Sequence, residues 1–190
     1  GIFTACIIFP VSILLDGSLT KIERDRIFVI YIIAFFVIFF WAAYEQAGAS
    51  LTLFAAEQTD RTILGWEMPA SWIQSFNPFF VVILAAIMPS VWGALNKRGM
   101  EPASPTKQAI GLLLLSLGYL VICFGAKDVQ PGVKVSLIWL TGLYFIHTMG
   151  EIALSPIGLS MVNKLTPVRF ASLMMGIWYL STSTANKFAG

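Results

Sequence analysis

The chain has 190 residues, of which 57% are hydrophobic and 12% charged, and its formal net charge is +2. A soluble domain carries about twice that share of charge; a fold of this size in water could not hide so much apolar surface, and so small a charge offers no basic patch for nucleic acid. Lipid is the solvent that removes the conflict. Cys6 and Cys123 sit in apolar runs and read as small buried hydrophobes, with no disulfide framework and no metal-ligand spacing.

A helix that crosses the hydrocarbon core needs about 20 mostly apolar residues. The sequence predicts six such stretches, at 2–15, 27–56, 72–95, 108–126, 134–163 and 169–190. The second and fifth are long enough to tilt or to extend beyond the bilayer. None alternates with a period of two, which argues against a membrane β-barrel. The first and last stretches read as incomplete, so the sequence is expected to be a piece of a longer membrane protein.

Polar connectors punctuated by Pro and Gly separate the stretches, among them Pro102 and Pro105, Pro131 and Gly132, and Pro167. The first, third and fifth connectors hold Lys21, Arg24, Arg26, Lys97, Arg98, Lys107, Lys164 and Arg169; the second and fourth hold Arg61, Lys127 and Lys134. The positive-inside rule places the first group in the cytoplasm. The second stretch then runs outward, the third inward, the fourth outward and the fifth inward.

Two glutamates break the apolar rule. A charge at the bilayer centre costs roughly 2.5–3.5 kcal/mol on insertion scales, so such residues face polar interiors. Glu45 lies in FFWAAYEQAGASL with Trp41 one turn before it and Gln46 and Ser50 extending the polar surface. Either the helix ends near Tyr44, or Glu45 lies inside a longer span. Glu151 lies near the middle of the fifth stretch, in LYFIHTMGEIALSPIGLSMV. His147 and Ser155 are one turn to either side and share its stripe. Gly150, Pro156 and Gly158 permit a kink and a close backbone approach, and discontinuous helices near the midplane build transporter sites. His147 is either a proton relay or a neutral, hydrogen-bonded histidine. One histidine and no HExxH or HxxEH pattern predict no metal site.

Gln74 and Asn77 are three residues apart and face either one cavity or the outer interface. Trp66, Trp72, Trp92 and Trp139 lie toward the ends of stretches, where an aromatic belt is expected. Trp41 and Trp178 are deeper, and either line a pocket or pack against other helices.

FFWAAYEQAGASLTLFA, PASWIQSFNPFFVVILAAIMPSVW, GEIALSPIGLSMVNKLTP and MMGIWYLSTSTAN occur in that order. From about Ile27 to Gly190 these strings resemble the carboxy-terminal half of the proton-dependent oligopeptide transporters, a branch of the major facilitator superfamily. The resemblance implies an all-α membrane fold: residues 1–19 as the end of a linker or hairpin transmembrane helix, and 20–190 as a carboxy-terminal six-helix bundle truncated in its fifth helix. It implies a symporter that imports di- and tripeptides across the bacterial inner membrane by alternating access, with protons as coupling ion and no other cofactor. Glu151 would bind the peptide's amino terminus and pair with a lysine of the amino-terminal bundle, which this sequence does not contain. Ser155 would lie beside it, Asn77 would hydrogen-bond the peptide backbone, and Trp41 and Trp178 would line the pocket. Glu45 would pair with a base of the other bundle in an outer gate. A transporter of nitrate or another small solute on the same scaffold is the alternative. A membrane enzyme has no supporting motif, and a purely structural membrane subunit would not need a midplane glutamate.

Overall fold

The computed structural model describes residues 1–127, 129 and 133–190; Pro131 and Gly132 of the fourth connector lie outside them. Among the described residues there are seven α-helices: α1 (Ile2–Leu14), α2 (Lys21–Tyr44), α3 (Ser50–Glu57), α4 (Phe76–Lys97), α5 (Ser104–Ala126), α6 (Leu137–Leu165) and α7 (Ala171–Ala189). The described connector residues include the two-residue strands β1 (Thr59–Asp60), β2 (Thr62–Ile63), β3 (Trp66–Glu67) and β4 (Val135–Ser136). The continuous helical spans Lys21–Glu57, Ala70–Lys97, Ser104–Ala126 and Leu137–Leu165 are long and apolar enough to cross a membrane. The fold is all-α, as expected.

The predicted second stretch is not one uniform helix. A 3₁₀ turn at Glu45–Gly48 separates α2 from α3. Gly48 weakens an α-helical turn at this point, and a nearby hydroxyl serves the freed backbone: Thr52 Oγ1 donates to the Ala47 carbonyl at 2.8 Å. Ser50 Oγ donates to Gln46 Oε1 at 2.7 Å across the same break. Glu45 stands at this break, exposed. Both readings of Glu45 thus catch part of the structure: the α-helix does end at Tyr44, and the helical span does continue.

The described residues form two compact units. The first comprises 1–45 and 155–190. Thr20 and Glu23 start α2 with a reciprocal capping box, Thr20 N–H donating to Glu23 Oε2 at 2.9 Å and Glu23 N–H to Thr20 Oγ1 at 3.3 Å. Ile27, Ile30, Ala34, Val37 and Phe40 then recur every three or four residues and bury one face of α2. That face meets α7, whose buried face carries Met174, Ile177, Trp178, Ser181 and Thr184. The opposite face of α2 exposes Phe28, Ile32, Phe35, Phe36 and Phe39. The Ser-Thr run of α7 satisfies itself: Ser183 and Thr184 donate back to the carbonyls of Tyr179 and Leu180 at 3.0 and 2.8 Å. Arg169 Nη2 ties the fifth connector to the first, donating to the Ser18 carbonyl at 2.9 Å and to Glu23 Oε2 at 3.1 Å.

The second unit spans 46–154. Its closest packing is along α5, where Gly111, Gly118 and Gly125 repeat every seventh residue. A Cβ at Gly111 would stand 2.9 Å from the Gly150 carbonyl oxygen, one at Gly118 2.4 Å from the His147 ring, and one at Gly125 2.4 Å from the Trp139 ring. Small residues at this spacing let two membrane helices approach. Trp139 therefore fills a notch on α5, where the sequence reading had it in an aromatic belt. Cys123 lies on the opposite, exposed side of α5, so it is not buried as expected. At the other end of α5, Lys107 Nζ meets Glu101 Oε1 at 2.5 Å and lies 4.6 Å from the Trp92 ring centre. Trp92 thus has a cation to cover as well as an end of α4 to flank. The second and fourth connectors meet in a parallel pairing of β1 with β4, with Thr59 opposite Val135.

Candidate functional site

The site is built where the first turn of α4 faces α6. Pro69 and the 3₁₀ turn Ala70–Ser75 lead the chain into α4. The change of pitch separates Gln74 from Asn77. Gln74 Nε2 donates to Thr52 Oγ1 at 2.9 Å and fastens the turn to α3. Asn77 enters α4 one residue after its start, with Pro78 in the first turn, where a missing N–H is harmless.

From that position Asn77 Nδ2 donates to Glu151 Oε2 at 2.9 Å. Its amide nitrogen is also 3.3 Å from Thr148 Oγ1, whose own hydroxyl donates to the Tyr144 carbonyl at 2.7 Å. Glu151 and Asn77 are both half-buried, while Thr148 is fully buried. The carboxylate thus stands beside the first turn of α4, where the helix dipole favours negative charge. Phe76 packs edge-on against Tyr144 and Phe80 against Phe145, which fixes the turn that presents Asn77. Of the residues singled out in the sequence, Asn77 and Glu151 are therefore brought into direct contact across 74 residues.

His147 goes elsewhere. It is 2% exposed, and its ring fits the notch at Gly118. Its Nε2 is 3.1 Å from the Leu115 carbonyl, so that nitrogen carries the proton, and its ring centre is 4.8 Å from that of Tyr119. The shared stripe of the sequence reading divides in two. At 100° per residue, positions 139, 143, 147, 150 and 154 centre roughly 100° away from 144, 148 and 151. The first set meets α5 and the second carries the Asn77 cluster.

The other singled-out residues belong to the first unit. Trp41 is half-buried and packs edge-on against Phe40 and Tyr44 of its own helix. Trp178 is buried in the face of α7 that carries Met174 and Ser181. Ser155 is half-buried one turn beyond Glu151 along α6, which runs unbroken through Pro156. Among the described residues, no three His, Cys, Asp or Glu side chains come together as a metal site. Sequence reasoning missed Thr148, which the i, i+3 spacing to Glu151 could have signalled, and the glycine heptad of α5.

Comparison with known proteins is consistent in direction. Residues 6–190 match the model of the POT family. The chain is 38% identical over 176 residues to the peptide transporter YePEPT of Yersinia enterocolitica, which covers 92% of the chain and 34% of that protein. It is 34% identical over 167 residues to dipeptide and tripeptide permease A of Escherichia coli, covering 88% of the chain and 33% of the permease. The crystal structure of a peptide transporter POT in complex with sulfate superposes with a TM-score of 0.87 at 36% identity, over 97% of this chain and 37% of that one. The chain thus spans about a third of the length of the curated relatives it matches.

Proposed function

This chain belongs to the POT family, and from that premise we propose that the full-length protein is a proton-coupled symporter that imports di- and tripeptides by alternating access. The chain is part of an integral, multi-pass membrane protein; among its described residues four helices are long and apolar enough to span the bilayer. Its relatives from Yersinia and Escherichia are named for peptide transport, which supports the substrate class and a bacterial inner membrane.

The observation that carries the reading is the hydrogen bond from Asn77 to Glu151 at 2.9 Å. Taking a carboxyl out of water favours its neutral form, and a nearby cation restores its charge. In this reading the Glu151 carboxylate, hydrogen-bonded by the Asn77 amide, exchanges a proton for a cation. In the proposed cycle, a lysine of the amino-terminal bundle pairs with Glu151 when the site is empty. The ammonium of an arriving peptide competes for the same carboxylate, and a proton releases it. Asn77 orients the carboxylate and offers its amide to the peptide backbone. Ligand and proton then bias one two-state element, which is what coupling requires. Ser155, Trp41 and Trp178 are assigned as further peptide contacts, and Glu45 as half of an outer gate, on the resemblance of their motifs. Residues 1–19 are assigned to the end of a linker or hairpin transmembrane helix and 20–190 to the carboxy-terminal bundle, truncated in its fifth helix, on the same resemblance. Protons are the coupling ion in this reading, and no other cofactor enters it.

The test uses the full-length transporter in proteoliposomes. Glu151→Gln is expected to abolish dipeptide accumulation driven by a proton gradient, with the protein still folded and inserted. Normal accumulation by that variant would sink the assignment. Competition of dipeptide, nitrate and small metabolites against labelled dipeptide separates the peptide reading from a same-scaffold transporter of another solute.

A further inference from the structure

The connector between α3 and α4 carries a feature that transport chemistry does not use. β2 and β3 form a tight antiparallel hairpin, with Thr62 opposite Glu67 and Ile63 opposite Trp66. Its two-residue turn is Leu64–Gly65, with φ of 50° and 83°. Both residues are in the left-handed region that a type I′ turn demands, and leucine enters it only against a steric penalty. The result is to hold a leucine at the extreme tip, 103% exposed.

The hairpin is polar at its base and apolar at its tip. At the base, Arg61 Nη2 pairs with Glu67 Oε1 at 2.7 Å, and Arg61 Nη1 donates to the Met68 carbonyl. The Asp60 carboxylate accepts from the Thr62 amide at 2.9 Å, which holds it below the usual carboxylate range and so charged. Met68 is buried with Leu51, Ala55 and Ile73, which fastens the base to the rest of its unit. The far end carries no charge. Ile63, Leu64 and Trp66 are exposed, and Trp72, just beyond the hairpin, sets its ring centre 5.4 Å from that of Trp66.

What covers this apolar end follows from its position. The hairpin begins five residues after α3 ends and closes three residues before the helical span Ala70–Lys97 starts. Leu53 of α3 and Phe79 and Val82 of α4, in the spans on either side of the connector, are exposed apolar residues as well. Paired tryptophans at the end of a span favour the layer where headgroups meet acyl chains. We infer that the Thr62–Glu67 hairpin is a rigid interfacial anchor, whose Ile63–Leu64 tip and Trp66–Trp72 pair sit in the outer headgroup–acyl boundary of the bilayer. It would fix the height of the α4 start, and so of Asn77, relative to the membrane surface.

The inference is independent of substrate and is tested without transport. A nitroxide is placed at Leu64→Cys, and in a second protein at Ile63→Cys, in a cysteine-free full-length transporter in phospholipid nanodiscs. Power saturation then compares access of oxygen, which partitions into lipid, with that of a water-soluble nickel chelate. The expected result is higher oxygen than nickel access at both positions, with loss of that preference when Trp66 and Trp72 are both replaced by serine. Nickel access equal to or above oxygen access would place the tip in water and overturn the inference. Spin–spin broadening at position 64 in nanodiscs holding two copies, absent with one, would overturn it in favour of a second copy of the chain.

Discussion

His147 and Glu151 are one helical turn apart on α6, and both are titratable groups in an apolar helix. His147 is locked into the seam with α5, its ring in the Gly118 notch and its N–H on the Leu115 carbonyl. Glu151 is on the neighbouring face, half-buried, with a hydrogen bond donated by the Asn77 amide. The difference teaches that rarity in a membrane helix does not by itself mark function. A polar residue whose neighbours are shaped around it as closely as Gly118 is around His147 is part of the packing. One presented on a helix face by a matching polar residue is available for exchange.

The comparison can be broken or sharpened by substitution in the full-length transporter. The largest effect short of removing Glu151 itself is expected at Asn77→Ala. A hydrogen bond to a charged group is worth about 1.5–3 kcal/mol, so proton-driven dipeptide uptake should fall roughly 10- to 150-fold. Initial rates at saturating and sub-saturating peptide measure this; unchanged uptake would detach Asn77 from the site.

Next comes the seam. Gly150→Ala would bring a Cβ to 2.8 Å from the Gly111 carbonyl oxygen, which is backbone and cannot swing away. Overpacking of this kind costs about 1–3 kcal/mol, and a lowered unfolding temperature in detergent is the expected reading. His147→Gln, which keeps an N–H for the Leu115 carbonyl, should lower that temperature less, since a neutral hydrogen bond contributes only about 0.5–1.5 kcal/mol, and should leave uptake largely unchanged, because the His147 ring packs against α5 and not in the Asn77 cluster. The smallest effect is expected at Gly176→Ala on α7, where a Cβ meets nothing within 4 Å. Removing a helical glycine there should be neutral or stabilising by up to about 1 kcal/mol.

Much of this was legible in the sequence, for physical reasons. The helices on either side of the connectors were readable because lipid demands long apolar runs. Glu151 was readable because its cost is high wherever it lies in such a run. What could not be read was direction within a turn. Glu151 and His147 lie 40° apart around an ideal helix, and only the neighbours decide which helix each one meets. The 3₁₀ turns at Glu45–Gly48 and Ala70–Ser75 were equally hidden, because local hydroxyls and proline satisfy them without a change of composition. That second turn is what sends Gln74 to Thr52 and Asn77 to Glu151. The glycine heptad of α5 was present in the letters, but its meaning depends on the His147 and Trp139 rings that fill it.

The central claim is that Asn77 and Glu151 act as one unit and His147 stands apart from it. A double-mutant cycle on dipeptide affinity measures this directly, using Asn77→Ala, His147→Gln and Glu151→Gln singly and in pairs in the full-length transporter. Residues in contact show interaction energies of about 0.5–3 kcal/mol, whereas independent sites add to within about 0.5 kcal/mol. The expected result is a coupling above about 1 kcal/mol for Asn77 with Glu151, and additivity for His147 with Glu151. Additivity of Asn77 with Glu151, or strong coupling of His147 with Glu151, would contradict the account.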